Sequence, residues 1–149
     1  MTSAVSVSKL FSKAKITSYL SGNASTAKDI TWVDMKDYEG FAVIATAAAL
    51  TGVGVTVLTI VANSNSAGTG DEVVIKAHAV GTAPDAAGDM LVIECTAAEI
   101  AHLGRASGYA LRYVSAKVTC ASASDNIVVT YILHSPKFPQ DALTADVTA

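Results

Sequence analysis

Tyr109-Ala-Leu-Arg-Tyr-Val-Ser-Ala-Lys-Val-Thr-Cys120, the polar linker Ala121-Ser-Ala-Ser-Asp125 and Asn126-Ile-Val-Val-Thr-Tyr-Ile-Leu-His134 decide the fold. Branched and flat side chains fill a pleated, half-buried surface, and the linker is rich in residues that tolerate turn geometry. The stretch through Pro136 therefore predicts a closing β-hairpin. Nothing on it carries a catalytic pattern. With Val33-Asp-Met-Lys-Asp-Tyr-Glu-Gly-Phe41 upstream, it points to a small all-β building block rather than an enzyme.

Phe41 to Ala62 contains no charged residue and is long enough to cross a bilayer. Its details disfavour a span. Thr46, Thr51, Thr56 and Thr59 recur through it, Gly52 and Gly54 interrupt it, and Asp37, Glu39, Asp71 and Glu72 flank it where Lys or Arg would anchor a helix. Two strands, Phe41 to Ala49 and Val55 to Asn63, joined by 50–54, make a second hairpin. Both faces of this pair are apolar, which implies strands in the middle of a sandwich or strands covered by another subunit.

Further out, Lys15 to Leu20 and Ile30 to Met35 read as strands separated by small turn formers, as do Glu72 to Val80 and Met90 to Cys95. The uncharged loop Asn63 to Gly70 and the breaker segment Gly81 to Asp89 separate them. Thr96-Ala-Ala-Glu99 has capping-box spacing, predicting a helix from Ala97 to Leu103 that ends at Gly104. The sum is an all-β, two-sheet sandwich of about eight strands with one short helix. Residues 1–12 read as an N-terminal arm, 13–138 as one β-sandwich domain and 139–149 as a C-terminal tail.

Hydrophobic residues make up 51% of the 149-residue chain and charged ones 15%, which excludes a wholly disordered protein. So few charges among so many Ala, Val, Ser and Thr residues suggest that a partner covers part of the surface. The net charge of -3 and the lack of a basic stripe argue against nucleic acid. Lys9, Lys13 and Lys15 read as a solvated strand or arm. The N-terminus shows neither a continuous apolar core nor a small-residue cleavage site, so no signal peptide is read and the expected compartment is reducing. Cys95 and Cys120 sit in apolar runs and read as two buried thiols; pairing them requires adjacent strands.

No catalytic, cofactor-binding or metal-binding residues are assigned. His78, His102 and His134 follow no ligand spacing, and the chain lacks Gly-x-Ser-x-Gly, His-Glu-x-x-His and Cys-x-x-Cys. Asp34, Asp37 and Glu39 around Tyr38 read as a solvated corner rather than a calcium loop. Trp32 reads as a core anchor. Arg112, taken as lying within the long strand beside Tyr113, has a planar fork suited to a carboxylate across a subunit interface, or lies as a snorkelling surface residue.

Taken in order, the Val33 to Phe41 segment, the apolar hairpin, the Gly108-Tyr-Ala-Leu-Arg-Tyr-Val114 strand and the terminal Val-Val-Thr-Tyr-Ile-Leu strand ending in Ser135-Pro-Lys137 resemble the head decoration, or cement, proteins of tailed bacteriophages. Such chains carry a second basic residue soon after the Arg-Tyr pair; here Ser115 stands there, with Lys117 later. The resemblance implies a jelly-roll-like β-sandwich on the outer surface of an icosahedral capsid. It would be made in the host cytoplasm and assembled as homotrimers that bridge major capsid protein subunits, without enzymatic activity, nucleic acid or membrane. Interface candidates are Lys9 and Phe11 on the arm, which could add to a neighbour's sheet edge, together with Arg112 and Tyr113. The alternatives are a tail or connector structural protein, and a glycan- or receptor-binding module using the Asn63 to Gly70 and Gly81 to Asp89 loops.

Overall fold

The branched and aromatic runs form strands close to where the sequence places them: β1 (Ala14–Gly22), β2 (Lys28–Asp29), β3 (Val33–Asp34), β4 (Tyr38–Ala49), β5 (Val55–Asn63), β6 (Val73–Ala77), β7 (Met90–Thr96), helix α1 (Ala97–Ser107), β8 (Tyr113–Cys120) and β9 (Asn126–Pro136). The computed structural model describes residues 14–22, 28–29, 31–51, 55–78, 86–122 and 124–138. The arm with Lys9 and Phe11, the tail 139–149 and residues 81–85 of the Gly81 to Asp89 segment lie outside the described residues. No helix among those described is long and apolar enough to cross a membrane.

Two antiparallel sheets form, one ordered β1-β9-β4-β7 and the other β2-β8-β5-β6, with β3 also on β8. Because β2 and β3 pair with different parts of β8, they act as one interrupted strand. The chain then behaves as a long ribbon doubled back on itself, pairing β1 with β9, β2 and β3 with β8, β4 with β7 and β5 with β6. Rolling that ribbon adds the β9 to β4 and β8 to β5 contacts. This is a jelly roll, the double Greek key that closes two sheets over one core.

The rolled arrangement corrects both expected hairpins. β8 and β9 belong to different sheets, as do β4 and β5, so each short connection carries the chain across the sandwich. A hairpin would place both apolar strands side by side in one sheet; the crossing lets their inner faces meet instead. Phe41, Val43 and Ala45 of β4 then bury against a core shared with Leu58 and Ile60 of β5 and with Val114 and Val118 of β8. Phe41 meets the Tyr131 ring edge-on, with centroids 4.9 Å apart, a favourable quadrupole geometry.

Tyr131 also crosses the core with its hydroxyl, which accepts the Ala116 backbone N–H at 2.7 Å and lies 3.3 Å from Ser115 Oγ. In register, Ser115 and Ala116 fall opposite the break between β2 and β3. A phenol from the facing sheet thus satisfies a backbone donor at that gap.

The capping box forms as expected: Thr96 Oγ1 accepts the Glu99 N–H at 3.1 Å and Glu99 Oε2 accepts the Thr96 N–H at 2.7 Å. The helix end does not. Gly104 is buried inside α1, because a Cβ there would come within 2.7 Å of the Tyr109 carbonyl oxygen. Gly108, at φ 80°, provides the left-handed terminus. The strand expected from Tyr109 begins only at Tyr113, since Tyr109 to Leu111 pack back against α1. Trp32 is corrected too: it lies outside the central core, with its indole against Gly68 of the 64–70 loop.

Candidate functional site

Strand alternation sends Phe41, Val43, Ala45 and Ala47 of β4 inward and leaves Ala42, Ile44 and Thr46 on the outer face. β9 does the same, burying Ile127, Val129, Tyr131 and Leu133 while Val128, Thr130, Ile132 and His134 face outward. In β7, Leu91, Ile93 and Cys95 are buried and Met90, Val92, Glu94 and Thr96 are exposed.

Register assembles these outward residues into cross-strand rows: Met90 with Thr46 and Val128, Val92 with Ile44 and Thr130, Glu94 with Ala42 and Ile132, and Thr96 with Gly40 and His134. Cross-strand neighbours on one face stand close enough to present a continuous surface. Among the described residues of these rows Glu94 is the only carboxylate and no Lys or Arg stands, while Lys76 and Glu99 flank the end formed by Glu94, Thr96 and His134. Met90 is 66% exposed and Val92 56%. Connected apolar residues left in water on a sheet face make it a candidate contact surface. The outward side chains missed in the sequence are thus Ile44, Met90, Val92, Val128 and Ile132. Their signal is apolarity at both odd and even positions, plainest in the Phe41 to Ala62 run and present again in Met90-Leu-Val-Ile93 and Ile127-Val-Val129.

At the neighbouring end, Arg112 Nε donates to Asp34 Oδ1 at 2.8 Å and its Nη2 donates to Asp34 Oδ2. Its guanidinium also stands 5.3 Å from the centre of the Tyr113 ring. The Arg112 hydrogen bonds hold the Asp34 carboxyl below the usual range, and Asp34 in turn raises the guanidinium pKa. Asp34 of the same chain thus engages the fork that the sequence offered either to a carboxylate across a subunit interface or to solvent, and the Arg112 side chain stays about half exposed. Asp34 also accepts the Lys36 N–H at 2.9 Å, while Glu39 is exposed, so the acidic corner serves its own turn.

The loop from Asn63 is tied internally. Asn65 Oδ1 accepts the Ala67 N–H at 3.0 Å and the Thr69 N–H at 3.3 Å, and Ser64 donates to Asp71 at 2.8 Å. Asn65 thus spends its amide on the loop's own backbone, also donating to the Thr69 carbonyl at 2.5 Å, and Ser64 spends its hydroxyl on the Asp71 side chain. His78, His102 and His134 lie on separate elements, and no group of three or more His, Cys, Asp and Glu among the described residues could hold a metal ion. Cys95 and Cys120 are free and buried. Burial pushes the Cys95 thiol up to about 12 and raises that of Cys120.

No protein-family model matches the sequence, and comparison with curated proteins gives no match. One solved structure with some likeness is described as "Bacillus endospore appendages form a novel family of disulfide-linked pili", at 15% identity and a TM-score of 0.39, covering 81% of this chain and 86% of that one. The jelly-roll assignment rests on the strand order of this chain.

Proposed function

We propose that this chain is a non-enzymatic virion protein: a head decoration protein that binds the outer surface of a tailed-phage capsid as a homotrimer and bridges major capsid protein subunits. The observation that carries the reading is the outward grid of β9, β4 and β7, in whose cross-strand rows Glu94 is the one carboxylate and no Lys or Arg stands, centred on Ile44, Val92 and Met90. Such a face can be buried against a neighbour with Glu94 as the one carboxylate of the rows to be paired or left at the rim, and repetition over many copies turns modest single contacts into firm attachment. The jelly roll agrees with the sandwich that the sequence resemblance implies, although a fold of this kind serves many functions and the assignment rests on the face.

The test is cryo-electron microscopy of heads assembled from the major capsid protein of the same genome, with and without this chain added. Added density on the outer surface, in trimers that contact neighbouring capsid subunits through this sheet, is the expected result. Heads that look the same with and without the chain would remove the proposal.

A further inference from the structure

Along α1, Ala97, Ala101 and Arg105 stand four residues apart on one stripe of the helix. Met35 and Lys36, the Tyr109 to Arg112 segment and Lys137 complete an open groove of about 480 Å³ against that stripe. Its floor is apolar, with Met35 and Ile100 only 4% and 3% exposed. Its rim is cationic: Lys36, Arg105, Arg112 and Lys137 line it, and no acidic residue among those described does. Asp34 occupies the Arg112 fork, but Lys36 and Lys137 merely approach Asp37 and Glu39 at 3.9 Å. Arg105 has no carboxylate partner among the described residues.

We propose that this groove is the docking site for the chain's own segment 139–149, Pro-Gln-Asp-Ala-Leu-Thr-Ala-Asp-Val-Thr-Ala, bound within the same molecule. The chain leads into that segment beside the groove: Lys137 is a lining residue, and its N–H donates to the Asp37 carbonyl at 2.8 Å. The segment's chemistry complements the groove. Leu143 and Val147 supply apolar side chains for the floor, and Asp141 and Asp146 are its only charges, opposite in sign to the rim. From Ala97 to Arg105 the stripe runs about 12 Å at ~1.5 Å per residue, which an extended segment covers in about four residues. Tethering at the rim sets an effective concentration on the order of millimolar, so a contact too weak between separate molecules is populated within one. The inference is independent of the capsid reading.

The test uses the full chain with a nitroxide on Thr148→Cys, a site distinct from the buried Cys95 and Cys120. In the nitrogen-15 spectrum the amide signals of Ala97, Ala101 and Arg105 are expected to lose intensity, and to recover when Leu143→Asp or Arg105→Glu is added. Unchanged β4 and β9 signals show that each variant is folded. Absence of broadening, or broadening that survives both substitutions, overturns the proposal. So does broadening in a subunit-exchanged mixture of spin-labelled chains and separate nitrogen-15 chains, which would assign the groove to the segment of a second copy.

Discussion

Asp125 Oδ1 accepts the Thr51 backbone N–H at 2.6 Å. Thr51 belongs to the connection from β4 to β5 and Asp125 to the connection from β8 to β9, so one fully buried carboxylate ties together the two places where the chain changes sheets. The Thr51 hydroxyl reaches the same oxygen at 3.2 Å, and Asp125 Oδ2 accepts the Ser122 N–H at 3.2 Å. Replacing Asp125 by Ala leaves these donors without their acceptor. Urea unfolding is expected to show a loss of about 2–4 kcal/mol, since hydrogen bonds to a buried charge are worth ~1.5–3 kcal/mol each and are not additive. Asp125→Asn, which keeps one acceptor oxygen, should lose less.

Tyr131→Phe keeps the ring that meets Phe41 and removes only the oxygen that accepts the Ala116 N–H. That donor is then buried without its partner, and the expected loss is about 1–3 kcal/mol in the same unfolding experiment. Tyr131→Phe equal in stability to the wild type would show that another acceptor serves Ala116.

These two residues also mark what could be read from the sequence. Where strands form was written locally, because runs such as Val55 to Asn63 and Asn126 to His134 suit only a pleated surface. How they pair was not. Connections as short as 50–54 and 121–125 serve a hairpin or a crossing between sheets equally well, and the choice rests on long-range packing of the inner strand faces, with the Asp125 to Thr51 contact tying the two crossings together. Gly104 and Gly108 posed the same difficulty: either could end a helix, and the passage of the Tyr109 carbonyl over Gly104 is visible only after folding. The outward apolar face was half visible. The two-sided apolarity of β4 signalled covered strands, but the rows joining Ile44 to Val92 and Thr130 depend on register, and the sequence left the Arg112 fork between a carboxylate on another subunit and solvent because Asp34, which it meets, is a long-range neighbour.

Cys95 and Cys120 are expected to be silent towards alkylating reagents in the folded protein. A thiol pushed up to about 12 is almost wholly protonated at neutral pH, and the thiolate is the reacting species. Mass spectrometry after iodoacetamide treatment should show no adduct under native conditions and two adducts in denaturant. Rapid native labelling of either cysteine would contradict its burial.

Acid is expected to weaken the fold modestly through Asp34 and Glu99. Arg112 hydrogen bonds hold the Asp34 pKa down, and the Thr96 backbone N–H does the same for Glu99. A depressed carboxylate stabilises the fold above its unfolded pKa, and that contribution disappears as pH falls through the lower, folded value. The loss therefore runs from about pH 5 downward and amounts to about 0.2–1 kcal/mol for each exposed group. Urea midpoints measured between neutral pH and pH 3 should fall less steeply for the Arg112→Gln and Glu99→Gln variants.

The outward grid of the β1-β9-β4-β7 sheet is tested most directly by co-sedimentation with heads built from the major capsid protein of the same genome, comparing the wild type with Val92→Glu. Val92 is 56% exposed on an edge strand, so the substitution leaves the core packed, and an unchanged circular dichroism spectrum verifies the fold. The wild-type chain is expected to sediment with the heads to a fixed, saturating ratio, and Val92→Glu to remain in the supernatant. A wild-type chain that stays behind, or a Val92→Glu variant that binds as fully, would contradict the account.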